Sequence, residues 1–148
     1  MATRGFRQPL CEPAASLMTL VAAQFSGVTI DAGTIVFMPT YIAPNTMIGK
    51  HVQVMPMCVI GHDVVIKDYV TLCPSCTVSG YVVIEEEVFV GAGSTIVNGR
   101  VGKPLNVGFG AKISAGAVVT KSIPPNASVA GNPARPLREL ARARRANE

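Results

Sequence analysis

Aliphatic side chains recur at every sixth position over most of this chain. Stepping from Ile30 gives Val36, Ile42, Ile48, Val54, Ile60, Ile66, Leu72, Val78, Ile84, Val90 and Ile96, twelve aliphatic residues in succession. With about half of all positions apolar, a run of that length at a preset step has odds on the order of one in thousands. Four residues after each of the first eleven comes a small or β-branched side chain: Thr34, Thr40, Thr46, Val52, Cys58, Val64, Val70, Cys76, Val82, Val88 and Ser94. Beyond Ile96 the phase slips, which reads as a one-residue deletion, and Val101, Val107, Ile113 and Val119 continue the series.

A six-residue unit with one large and one small inward position is too short for a helix and its turns. It suits a two-sided strand followed by a corner. No such strand buries its apolar side alone, so successive strands coil into a solenoid whose turns cover one another. Three strands per turn raise the vertical period to 18, and side-chain size then sorts by column: Ile30, Ile48, Ile66, Ile84; Val36, Val54, Leu72, Val90; Ile42, Ile60, Val78, Ile96. The pattern predicts an all-β chain, a parallel β-helix of about five rungs over residues 30–123. Residues 1–29 form an N-terminal lead-in, and residues 124–148 a C-terminal loop and helix. Pro124-Pro125 and Asn132-Pro133 break the repeat. Pro136 then opens the helix-forming run Leu137–Arg145, with arginines in its last turns, where a helix favours cations.

At 148 residues and 15.5 kDa the chain has room for one domain. Its 49% hydrophobic and 15% charged content excludes intrinsic disorder. Aromatic residues are 5%, with no Trp, which argues against a base-stacking surface. The net charge of +4 sits mainly in the last 14 residues, where Arg135, Arg138, Arg142, Arg144 and Arg145 face only Glu139 and Glu148. A nucleic-acid binder spreads basic charge over its body, so no nucleic-acid partner is expected. No apolar run is long enough to span a membrane. Arg4 and Arg7 before the stretch Ala14–Ala23 loosely resemble a secretory signal, but Pro9, Glu12 and Pro13 interrupt it, and the chain is read as cytoplasmic.

The repeat resembles that of the hexapeptide-repeat acyltransferases, whose prism is a left-handed β-helix; the handedness is implied by the resemblance alone. The segment Gly108–Arg135, GFGAKISAGAVVTKSIPPNASVAGNPAR, is similar to the closing segment of those enzymes. Within the superfamily, residues 18–134 resemble the sialic-acid O-acetyltransferase and bacillosamine N-acetyltransferase branch. That likeness rests on LMTLVAAQFSGVTIDAGTIV, on Val59-Ile60-Gly61-His62-Asp63, and on the spacing to Gly91-Ala92-Gly93-Ser94. Branch members carry an amino-terminal nucleotide-sugar-binding domain. The repeat begins here at Ile30, after a lead-in too short for such a domain, so acceptor specificity does not carry over.

His62 is the second residue after an inward aliphatic, at a corner, with Pro44 one vertical step below and Gly80 one vertical step above. Gly80 leaves a side-chain-free space beside the imidazole where a ligand fits. By resemblance His62 is the general base and Asp63 orients it; an imidazole suits the task of taking the proton of an attacking amine or hydroxyl. The resemblance also implies acetyl-CoA as donor, with no metal. Its pantetheine arm would contact Gly80, Ala92, Gly110 and Ala111, and its phosphates would meet Lys121 and Arg135, in a groove between subunits of a homotrimer. His51 lacks the match and reads as a surface residue. Cys73-Pro74-Ser75-Cys76 reads as packing rather than redox or metal chemistry, because Cys76 takes a small inward position above Cys58. The run Glu85-Glu86-Glu87 reads as a solvated corner without a partner pattern.

Three functions compete. The first is an acetyl-CoA-dependent O- or N-acetyltransferase acting on a small acceptor, a sugar or amino-sugar derivative. A zinc hydratase of the γ-carbonic-anhydrase type needs three histidines around one metal, and this chain has two. A non-catalytic β-helix scaffold is the remaining alternative.

Overall fold

A computed structural model describes residues 22–24 and 26–146. Arg4, Arg7, Cys11 and most of the Ala14–Ala23 stretch lie outside the described residues. Every third strand falls on the same face, so the chain winds as a three-sided prism. The first face holds β1 (Ala22–Gln24), β4 (Thr40–Ile42), β7 (Val59–Ile60), β10 (Thr77–Val78), β13 (Thr95–Ile96) and β16 (Val118–Val119). The second holds β2 (Thr29–Ile30), β5 (Met47–Ile48), β8 (Val65–Ile66), β11 (Val82–Ile84) and β14 (Leu105–Val107). The third holds β3 (Ile35–Val36), β6 (Gln53–Val54), β9 (Thr71–Leu72), β12 (Phe89–Val90), β15 (Lys112–Ile113), β17 (Ser128–Ala130) and β18 (Arg135–Pro136). All pairings are parallel except β17 with β18. Among the described residues the sheets hold six, five and seven strands, giving about six turns. That is one more than the hexad count, because β1 and β17 extend the stack at its two ends. The helix α1 (Leu137–Ala146) follows, against β17 and β18.

The three aliphatic columns are the core, one per face; Ile42, Ile60, Leu72, Ile84, Val90 and Ile96 are fully buried. The small inward residues are buried too, and they do more than fill space. Thr34 donates its hydroxyl to the Gly49 carbonyl at 2.6 Å and Thr46 to Gly61 at 2.9 Å, while the thiols of Cys58 and Cys76 reach the carbonyls of Cys73 and Gly91, both at 3.3 Å. Each donor thus satisfies a corner carbonyl in the turn above, where an unpaired carbonyl would be costly. The Cys58 thiol beside it, together with burial, pushes Cys76 far above the ordinary thiol range, so it is an inert packing group.

The edges carry the chain's unusual backbone. Asn45, Asp63 and Tyr81 have φ of 58°, 54° and 56°, a left-handed conformation that side chains disfavour. The turn below holds them: Asp63 N–H donates to the Pro44 carbonyl and Tyr81 N–H to that of His62, both at 3.1 Å. On another edge Lys67 pairs with Glu85 at 2.5 Å and Glu86 at 3.5 Å. The acidic corner therefore has a partner, one turn back along the same edge, contrary to its reading from sequence.

The phase slip after Ile96 is an insertion, not a deletion. Ile66 pairs with Ile84, one full period on, whereas Ile84 pairs with Val107, where the period alone would bring Gly102. Five extra residues leave the edge as a hairpin, with Arg100 and Lys103 bridged antiparallel and Val101 78% exposed. Val101 belongs to no column. Counting in sixes cannot separate the loss of one residue from the gain of five.

Candidate active site

His62 and Asp63 occupy the edge between the first and second faces, just after β7. Ile60 anchors that strand inside the prism. Gly61 then passes so close to the next turn that a β-carbon would stand 2.7 Å from Gly80 N. The imidazole of His62 rests against Gly80, where a β-carbon would stand 2.8 Å from both Cε1 and Nε2. The space that sequence reasoning left for a ligand is filled by the ring itself. The absent side chain of Gly80 seats the histidine.

His62 Nδ1 lies 2.7 Å from Asp63 Oδ2. Asn45 Nδ2 donates to Asp63 Oδ1 at 3.3 Å, and the Tyr81 hydroxyl also reaches the carboxylate. The bond from His62, then those from Asn45 and Tyr81, hold the Asp63 carboxyl below the usual carboxylate range. An ionised Asp63 only accepts, so Nδ1 carries a proton and, in the neutral ring, Nε2 is the atom with the lone pair. The Tyr81 ring meets the imidazole edge-on, with centroids 5.0 Å apart and planes at 88°. Half of the His62 side-chain surface is open to solvent. Sequence reasoning misses Asn45 and Tyr81, although they stand one vertical step either side of Asp63; stepping from His62 alone does not reach them.

The other expected residues scatter over the prism. Gly80 and Lys121 share the His62 edge. Ala92 lies on the edge between the third and first faces, and Gly110 on the edge between the second and third. Ala111 is fully buried; its methyl group packs in the core, so its side chain lines no groove. Arg135 lies in β18, the last strand of the third face. A single copy therefore does not gather the six expected cofactor residues around His62. His51 stacks on Tyr69 on the edge between the second and third faces, with centroids 5.3 Å apart. Among the described residues, no three His, Cys, Asp or Glu side chains converge as a metal ion requires, and no helix is long and apolar enough to cross a membrane.

Residues 45–80, which include the dyad, match the family described as bacterial transferase hexapeptide (six repeats). The chain belongs to the hexapeptide-repeat family. A relative within it, the GDP-perosamine N-acetyltransferase of Escherichia coli O157:H7, is 42% identical over 109 residues, 74% of this chain and 49% of that protein. The solved structure of WeeI from Acinetobacter baumannii AYE superposes with a TM-score of 0.73 at 39% identity, covering 75% of this chain and 52% of that one. The acetyltransferase domain of PglB from Neisseria gonorrhoeae FA1090 gives 0.64 at 26% identity, over 84% and 55%. The fold is thus the left-handed parallel β-helix of hexapeptide-repeat acyltransferases, and the relatives agree with the branch that the sequence resembles. This hexapeptide-repeat chain spans about half the length of the relatives it matches.

Proposed function

We propose that this chain transfers an acetyl group from acetyl-CoA to the amine or hydroxyl of a small sugar or amino-sugar acceptor, with His62 as general base. The observation that carries the reading is the 2.7 Å contact of Nδ1 with Asp63, which leaves Nε2 as the basic atom on an exposed ring. The 42% identical GDP-perosamine N-acetyltransferase supports an acetyl donor and an amino-sugar acceptor. As the acceptor attacks the thioester carbonyl, its proton passes to Nε2, and ionised Asp63 faces the imidazolium that results. Collapse of the tetrahedral intermediate breaks the C–S bond, and the same proton goes to the departing sulfur. Asn45 and Tyr81 are positioning residues that act through Asp63.

Ala92 and Gly110, matched by resemblance to donor contacts, stand on edges away from His62. The proposal therefore includes a homotrimer, in which closed threefold packing would set an edge of one prism against a different edge of the next, at three equivalent grooves. Lys121 needs no second copy to share the edge of His62.

Thiol release from acetyl-CoA with a panel of sugar amines and hydroxyls tests the proposal. His62→Ala should lower transfer by roughly two to four orders of magnitude and leave stability within about 1 kcal/mol, as for an exposed corner. Undiminished transfer by that variant removes His62 from the mechanism. Light scattering should give the trimer mass, and a monomer at micromolar concentration overturns the shared groove.

A further inference from the structure

The five-residue hairpin opens on the edge that carries His62, above Gly80. Gly99 N–H donates to the Gly80 carbonyl at 3.0 Å, and Arg100 follows directly. The hairpin, Pro104, Leu105 and the corner Thr120–Ser122 line an open surface depression of about 450 Å³. Three cations line it: Arg100, Lys103 and Lys121. Among the described residues the ion pairs are those of His62 with Asp63 and of Lys67 with Glu85 and Glu86. Among the described residues, no carboxylate lines the depression.

The hairpin sharpens the point. Arg100 N–H donates to the Lys103 carbonyl at 3.0 Å and Lys103 N–H to that of Arg100 at 2.9 Å, so the two residues sit directly opposite one another. Side chains of such a pair leave on the same face, and like charges placed so are destabilising. An unpaired cationic couple beside a third cation is relieved by an anion bound between them. The corner of Lys121 stands three turns above that of His62, about 14 Å along the edge at the usual strand spacing.

We infer that Arg100, Lys103 and Lys121 form a phosphate subsite for an elongated substrate whose reacting end lies at His62. The placement along the edge rests on the acetyltransferase reading; the anion site itself does not. The donor of that reading brings phosphoryl groups as the diphosphate and 3′-phosphate of CoA; an amino-sugar acceptor brings them when it is nucleotide-linked, as in the name of the related GDP-perosamine N-acetyltransferase.

Titration calorimetry of the full chain with inorganic pyrophosphate tests the site without any acetyl transfer. Wild type should bind, more weakly as salt rises, and Arg100→Ala/Lys103→Ala should bind at least about tenfold more weakly, as loss of charge-assisted contacts implies. No binding by wild type, or equal binding by the variant, overturns the inference. Kinetics then identify the source. A KM rise in the variant for acetyl-CoA but not for acetyl-pantetheine, which lacks phosphate, assigns the site to the donor. A rise for a nucleotide-linked amino sugar but not for the free sugar assigns it to the acceptor. Equal changes within both pairs overturn the subsite. If wild type transfers no acetyl group to any acceptor, the proposed function fails while the titration still decides the anion site.

Discussion

The imidazole of His62 lies so close to Gly80 that a β-carbon there would stand 2.8 Å from Nε2. The residue one turn above the base thus sets the base's position. Gly80→Ala should push the ring outward and stretch its bond to Asp63. A misplacement of about 1 Å is worth roughly 100-fold in rate, so transfer should fall by about that factor while acetyl-CoA binding persists. Unchanged turnover would show that the ring moves freely at no cost to catalysis.

Asp63 links the site to acid stability. Its pKa is depressed in the folded chain by bonds from His62, Asn45 and Tyr81. A group with a depressed folded pKa contributes stability above its unfolded value and loses it as pH falls through the folded one. Asp63→Asn, which tolerates the same left-handed backbone, should melt lower than wild type at neutral pH. The gap should close in acid, below the ordinary carboxylate range. A gap that is constant with pH would assign the effect to geometry instead of charge.

Thr46 is buried and donates to the carbonyl of Gly61, the residue before His62. Thr46→Val keeps the shape, as Val52 and Val64 show at equivalent positions, but removes the donor. The expected loss is about 1–2 kcal/mol in thermal or denaturant unfolding. An unaltered midpoint would mean that the carbonyl finds another partner.

Ile66 sits in the middle of the second face's column, 1% exposed. A carboxylate there has no partner and no water, so Ile66→Asp should give no soluble β-rich protein. A soluble variant with the wild-type melting curve would contradict the column.

Much of this was written in the hexads. The columns, the small inward row and the packing role of Cys76 are one-dimensional features that a period of six and its threefold multiple expose directly. The hairpin was not legible, since a five-residue gain and a one-residue loss leave the same phase, and the apolar Val101 disguised the difference. Asn45 and Tyr81 were legible in principle, one vertical step from Asp63. The carbonyl acceptors of Thr34, Thr46 and Cys58 were not, because a bond from one turn to a corner of the next depends on how that corner bends. Nor does periodicity show that the imidazole fills the space over Gly80.

Above the Arg100–Lys103 hairpin the columns resume as though nothing had intervened: Ile84 meets Val107, Val90 meets Ile113 and Ile96 meets Val119. Length added at an edge is invisible to the interior. In this architecture an ancestral sequence can lengthen, shorten or exchange such an outgrowth without a compensating change inside, whereas one residue gained within a strand would turn its neighbours inside out. Recognition can diversify along the edges of the prism while the packed interior, and the histidine it seats, are inherited intact.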